Sequence, residues 1–121
     1  MEAILIVDDD LGVCTTLKEE LCEVGYETDF LLSGTEVFDY LKTKPVDLIL
    51  LDLVLPEKDG YEILKEITDN KIDVKIVVLT AYADVKSAID SARLGASDFI
   101  SKPYDLDELL ITIRKVLQRD D

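Results

Sequence analysis

The sequence predicts an α/β domain with a doubly wound parallel sheet, and three observations carry the prediction. Short apolar blocks alternate with helical apolar faces five times along the chain. Three of the blocks are continuously apolar, as strands buried on both faces must be. The 121 residues are about the size of one domain, and 48% of them are hydrophobic. A β-α repeat of this kind implies a parallel sheet covered by helices on both sides. The whole chain, residues 1–121, is therefore expected to be a single unit.

The elements follow in order. Ala3-Ile4-Leu5-Ile6-Val7 is a continuous apolar run and reads as a central strand. Val13, Leu17, Leu21 and Val24 recur at helical spacing, and Gly25 suits a helix stop. Tyr26 to Leu32 is a more polar strand, broken by Glu27 and Asp29. Ser33 and Glu36 form a capping-box pattern before a helix carrying Val37 and Leu41. Leu48-Ile49-Leu50-Leu51 is the third strand, and Ile63, Leu64 and Ile67 mark the third helix. Ile76-Val77-Val78-Leu79 is the fourth strand. Val85, Ala88, Ile89 and Ala92 give the next amphipathic face, stopped by Gly95. Phe99-Ile100 is a brief fifth strand. Asp105 and Glu108 open a last helix bearing Leu106, Leu109, Leu110, Ile113 and Leu117. The short or polar second and fifth strands belong at the edges. With right-handed crossovers, the order 2-1-3-4-5 satisfies these demands with one reversal, between strands one and three.

Composition excludes several functions. The net charge of −14 repels phosphate backbones, so no direct nucleic-acid binding is expected. No apolar run reaches the roughly 20 residues of a membrane helix. Met1 leads into a glutamate and a short strand, which is neither a signal nor a transit peptide. A cytoplasmic protein without a membrane partner is the expectation. Cys14 and Cys22 are eight residues apart on one helix, about 12 Å, too far for a disulfide. With no histidine in the chain, a Cys/His zinc site is excluded, and any phosphoryl chemistry must run on carboxylates, hydroxyls and lysines.

Ligands of open α/β sheets bind outside the carboxyl ends of the strands at the reversal. That rule places the cleft just after Val7 and just after Leu51. Asp8, Asp9 and Asp10 follow the first of these, and Asp52 follows the second. Thr80 ends strand four and Lys102 closes strand five. Asp10 has an ordinary use as a helix N-cap. Asp52 does not, because it interrupts Leu48-Ile49-Leu50-Leu51 and Leu53-Val54-Leu55. A carboxylate in such a stretch costs several kcal/mol unless something pairs with it. Clustered carboxylates repel one another, and a divalent cation relieves that repulsion. Hard oxygen donors suit Mg²⁺, with Mn²⁺ as the alternative ion. Asp9 and Asp52 are expected as direct ligands, with Asp8 acting through a water. The second Asp52 oxygen is then placed to attack phosphorus, with Lys102 and Thr80 stabilising the transferring group. Lys102 precedes Pro103, where a cis bond is plausible, and the turn from Leu55 to Gly60 is expected to wrap the site.

Taken together, these residues resemble the receiver domain of two-component response regulators. The pieces that match are Ile4 to Asp9, Asp52-Leu53-Val54-Leu55-Pro56 with Asp59-Gly60, Leu79-Thr80-Ala81, Gly95-Ala96 and Lys102-Pro103, in family order over the whole chain. The resemblance implies the flavodoxin-like (CheY-like) fold of the chemotaxis response regulator. It implies Asp52 as phosphoacceptor for a sensor histidine kinase or phosphotransfer protein. It implies Asp8 and Asp9 as the metal pair, with the backbone carbonyl of Val54 completing the metal shell. Thr80 and Lys102 would hold the phosphoryl group. Conformation would change around Thr80, Phe99 and the helix spanning 84–94, although Phe99 reads equally as a core aromatic. By the same analogy Val54 and Tyr82 set the phosphoryl lifetime, and both lack a group to orient water, which implies slow self-dephosphorylation. Such a protein is a signalling phosphoacceptor and not a turnover enzyme, monomeric or dimerising on phosphorylation. It would be either a free-standing receiver passing phosphate on or the amino-terminal part of a regulator with an output domain. Two rivals compete with this. A haloacid-dehalogenase-type phosphohydrolase usually needs a second Asp where Val54 stands, and a receiver fold kept as a scaffold needs no intact site.

Overall fold

A computed structural model describes residues 1–119; the final two residues of the expected domain, 120–121, lie outside the described residues. The elements are β1 (Ala3–Val7), α1 (Leu11–Glu23), β2 (Glu27–Leu31), a 3-10 turn (Gly34–Glu36) running into α2 (Val37–Thr43), β3 (Leu48–Leu51), α3 (Gly60–Asp69), β4 (Lys75–Thr80), α4 (Val85–Arg93), β5 (Asp98–Ser101) and α5 (Leu106–Leu117). The five strands form one parallel sheet in the order β2-β1-β3-β4-β5, as the pattern predicts. Among the described residues, no helix is long and apolar enough to cross a membrane.

Strand alternation divides the core into two layers. Ile4, Ile6, Leu48, Leu50, Val77, Leu79 and Ile100 pack against Cys14, Leu17 and Leu21 of α1 and Leu109, Ile113 and Val116 of α5. Leu5, Val7, Ile49, Leu51, Ile76 and Val78 pack on the other face against Val37 of α2 and Ile63, Leu64 and Ile67 of α3. Central strands β1, β3 and β4 thus bury both faces, which is why their sequence shows no alternation.

The register fixes the cleft. Val7 pairs with Leu51, so the ends of β1 and β3 are level, while Leu51 pairs with Val78 and β4 continues beyond them to Thr80. One step further, the Asp52 amide donates to the Val7 carbonyl at 3.0 Å, which sets Asp52 beside Asp8.

Three local expectations need correction. Val24 is 54% exposed as the C-cap of α1, and the buried residues of the helix are Cys14, Leu17 and Leu21. The chain turns away at Gly25 (φ +101°) before Val24 can reach the sheet. Ser33 caps the 3-10 turn by accepting from the Thr35 amide rather than from Glu36, so no capping box forms and α2 starts only at Val37. On α4, Val85 and Ile89 stay exposed and the buried residue is Ser91, whose hydroxyl satisfies itself on the Ala88 carbonyl at 3.1 Å.

Candidate functional site

Each site residue is delivered by a strand end. Asp8 and Asp9 lead from β1 into α1, where Asp10 caps the helix by accepting from the Val13 amide. Asp8 is 2% exposed, Asp52 8%, and Thr80 fully buried, while Asp9 faces solvent. Oxygens of Asp8, Asp9 and Asp52 all lie within 4.8 Å of one another. Asp52, Asp8 and Lys102, 94 residues apart at the extreme, meet at one point. The Lys102 ammonium donates to Asp8 Oδ2 at 2.5 Å and to Asp52 Oδ2 at 3.1 Å. The Asp10 amide donates to Asp8 Oδ1 at 2.9 Å, and the Val54 amide to Asp52 Oδ1 at 3.1 Å. Among the described residues, no buried side-chain polar atom lacks a partner.

The electrostatics follow from burial and pairing. Burial pushes the Asp8 carboxyl above the usual carboxylate range, against the pull of Lys102. Burial alone would lower Lys102, but its hydrogen bonds to Asp8 and Asp52 outweigh it and hold the ammonium above the ordinary lysine value. The neighbouring Cys14 thiol, pushed up to about 12 chiefly by burial, donates to the Asp8 carbonyl at 3.3 Å. It is therefore a packing group and not a nucleophile.

The donor set fits a hard divalent ion. It consists of carboxylate oxygens, one of them on exposed Asp9 where waters can complete the shell. The loop beyond Asp52 is held close. Its Gly60 amide donates to the Leu53 carbonyl at 2.9 Å, and a Cβ on Gly60 would meet the Asp52 carbonyl oxygen at 2.5 Å. Thr80 pairs with Ser101 across the β4–β5 ladder, and its hydroxyl accepts from the Tyr82 amide at 3.2 Å. Phe99 is half-buried against the second core layer. The Lys102–Pro103 bond is cis.

Asp8, Asp9, Asp52, Thr80 and Lys102 lie at or just beyond strand ends, as the sequence pattern predicts, with Phe99 within β5 and Val54 in the loop after β3. Three contacts have no counterpart in the sequence pattern: Lys102 is shared between two carboxylates, Cys14 sits beneath Asp8, and Tyr104 reaches across to Glu20. No spacing in the chain signals these contacts, because each joins different elements.

An open 2-1-3-4-5 sheet with an acidic cleft at its reversal defines a receiver-type α/β domain. The chain belongs to the response regulator receiver domain family, whose model matches residues 4–114. It is thus a receiver of two-component regulatory systems. It is 35% identical to sporulation initiation phosphotransferase F of Bacillus subtilis over 96% of this chain and 94% of that protein. It is 36% identical to the transcriptional regulatory protein ZraR of Klebsiella oxytoca over 94% of this chain. A CheY-like receiver domain protein from Methanospirillum hungatei superimposes with a TM-score of 0.90 at 30% identity, covering 97% of this chain and 94% of the other. The chain spans 25% to 50% of the length of the longer curated relatives it matches.

Proposed function

We propose that residues 1–121 act as a Mg²⁺-dependent phosphoacceptor that takes a phosphoryl group from a sensor histidine kinase or phosphotransfer protein onto Asp52. The observation that carries this reading is the convergence of Asp8, Asp9 and Asp52 with the Lys102 ammonium at one rim. Asp9, Asp52 and the Val54 carbonyl would hold the ion directly. Asp8, the most buried of the three carboxylates, would act through a water. Bound Mg²⁺ (or Mn²⁺) neutralises carboxylate charge and the negative charge of the arriving phosphoryl oxygens.

The chain's own groups do the rest. An Asp52 oxygen attacks phosphorus as the bond to the donor's nitrogen or oxygen breaks, and the donor leaves with that electron pair. Lys102 exchanges its contact with Asp52 for a phosphoryl oxygen and remains tied to Asp8, so the ammonium moves with the charge. Thr80 accepts from Tyr82, which leaves its hydroxyl hydrogen to donate to the phosphoryl group. The added charge of about −1.5 to −2 biases the surface around Thr80, Phe99 and residues 84–94. Exposed Val85 and Ile89 make α4 the weakly packed element there.

Val54 and Tyr82, both exposed and without a carboxylate or amide, give a long phosphoryl lifetime. Free Cys14 and Cys22 suit a reducing, cytoplasmic setting. The output, whether an attached domain or a downstream protein, acts through the same surface, as a monomer or a phosphorylation-dependent dimer.

Incubation with Mg²⁺ and acetyl phosphate, followed by intact mass, tests the proposal. One phosphoryl group should be gained, and none by Asp52→Asn. Turnover of many equivalents would mark a phosphohydrolase instead, and an unmodified protein a scaffold. Loss of the phosphoryl group within seconds would refute the slow lifetime, and a Phe99 ring signal unchanged by phosphorylation would leave that residue a core aromatic.

A further inference from the structure

Lys102 stands at the end of a four-residue edge strand, the least constrained position from which to hold a catalytic ammonium. Its amide donates to the Thr80 carbonyl at 2.9 Å, one step beyond the last ladder pair, Thr80 with Ser101. Pro103 then has no N–H to donate. The next anchor is Asp105, which caps α5 by accepting from the Glu108 amide at 3.1 Å. Between them, among the described residues, residues 103–104 are tied to another element by one hydrogen bond. The Tyr104 phenol donates to Glu20 Oε1 of α1 at 2.7 Å, in a part-buried setting. The Tyr104 ring packs on the core layer beneath α1 and α5. Burial, with the Glu20 carboxylate second, keeps the phenol protonated well above its usual range, so the donor persists at any physiological pH.

Glu20 belongs to the helix that begins directly after Asp8 and Asp9. The bond therefore spans between the loop that carries Lys102 and the helix that carries its acidic partners. We propose that Tyr104 and Glu20 are a positioning pair that holds Lys102 over the acidic cluster. The effect on phosphoryl transfer rests on the phosphoacceptor reading above, whereas the placement rests on the geometry alone. Neither residue touches the reacting atoms. Each acts by restricting how far the loop after β5 can lift from α1.

The competing account is that the pair merely glues α1 to α5, in which case its loss would loosen the whole core evenly. Amide hydrogen exchange on the metal-free protein separates the two. In Tyr104→Phe and Glu20→Ala, exchange at the Lys102 amide should rise about tenfold or more, while the buried core amides of Ile6 and Leu50 change by less than about twofold. Glu20→Gln retains an acceptor oxygen and should stay within about twofold of the parent at Lys102. Phosphorylation by acetyl phosphate with Mg²⁺ should slow by about threefold or more in the first two variants, not in Glu20→Gln, and no further in the double variant. Unchanged Lys102 exchange in Tyr104→Phe, a parallel rise at Lys102 and the core, or a Glu20→Gln variant as impaired as Glu20→Ala would each overturn the proposal. If the parent takes up no phosphoryl group yet the exchange pattern holds, the phosphoacceptor reading fails and the positioning pair stands.

Discussion

Lys102 Nζ and Asp8 Oδ2 are 2.5 Å apart although 94 residues separate them in the chain, and Asp52 shares the same ammonium at 3.1 Å. The Lys102 side chain is 18% exposed and that of Asp8 4%, so little water screens the pair. The cation is thus a structural counter-charge before it is anything else.

Replacing Lys102 with alanine leaves two buried carboxylates beside exposed Asp9 with no ammonium between them. The metal-free variant should lose about 1–3 kcal/mol of stability in urea titration. Saturating Mg²⁺ should recover a larger share of stability in the variant than it adds to the parent, because the ion replaces the missing charge. Phosphorylation should fall at least about tenfold even with the ion present. Equal stability with and without Lys102 would show the pair to be energetically idle.

Alkali should unfold the protein in a defined window. The Cys14 thiol rises from 9.0 to about 12, and the Tyr40 phenol from 10.0 to about 12, each chiefly by burial. Tyr104 and Lys102 are also held above their ordinary values. A raised group binds its proton more tightly when folded. Its stabilisation is fully present below the unfolded pKa and is lost as pH rises through the folded one. Stability should therefore decline from pH 9 towards pH 12, with a slope near 1.4 kcal/mol per pH unit for each group titrating in the unfolded chain alone, about that of one proton. In Cys14→Ala the decline should begin about one pH unit later, with the tyrosines. Chemical denaturation at stepped pH values reads both onsets, and a flat profile across the window would contradict the burial argument.

Strand order and cleft position were legible because both follow from one-dimensional patterns. Continuous apolar runs such as Ile4 to Val7 identify central strands, and the reversal rule then points at the residues after Val7 and Leu51. The cap at Asp10 was legible for the same local reason. What stayed hidden depends on distances between elements. The buried stripe of α1 runs through Cys14, Leu17 and Leu21 and stops short of Val24, which is the C-cap just before the turn at Gly25. The α4 helix looks amphipathic, yet it leaves Val85 and Ile89 in solvent and buries Ser91 instead. The sharing of Lys102 depends on register: Phe99 lies level with Val7 and Leu51, so Lys102 follows beyond those strand ends, a fact that spacing along the chain does not carry.

Gly60 is required by space and not by backbone dihedral. A methyl group there would meet the Asp52 carbonyl oxygen at 2.5 Å and Leu53 Cα at 2.7 Å, both backbone atoms that yield little. Gly60→Ala should cost about 1–3 kcal/mol by overpacking and, by shifting the segment that carries Asp52, should slow phosphorylation beyond what unfolding explains. At Gly25, by contrast, nothing lies within 4 Å of an added Cβ, and the cost comes from φ +101° alone. Gly25→Ala should destabilise by about 1 kcal/mol and leave the rate per folded molecule unchanged. Thermal melts paired with rate measurements distinguish the two, and a Gly60→Ala protein with parental stability would refute the close approach.

Asp9 and Asp8 should separate when each is made an amide, because one is exposed and the other buried. Asp9 has solvent on one side, so Asp9→Asn should leave metal-free stability within about 0.5 kcal/mol of the parent. It should still weaken Mg²⁺ binding by about tenfold or more, since a hard ion loses a charged oxygen donor. Asp8→Asn acts differently. Burial already disfavours the charged Asp8 carboxyl, so its neutral isostere removes a desolvation cost while also removing a partner of Lys102. The folded Asp8 carboxyl takes up its proton at higher pH than the unfolded one. Its charged form therefore opposes folding at neutral pH, and the metal-free Asp8→Asn protein should be at least as stable as the parent at pH 7. Calorimetric Mg²⁺ titration with urea denaturation checks both halves. A stability loss in Asp8→Asn exceeding that in Lys102→Ala would show that the ion pair, and not burial, governs this corner of the cleft.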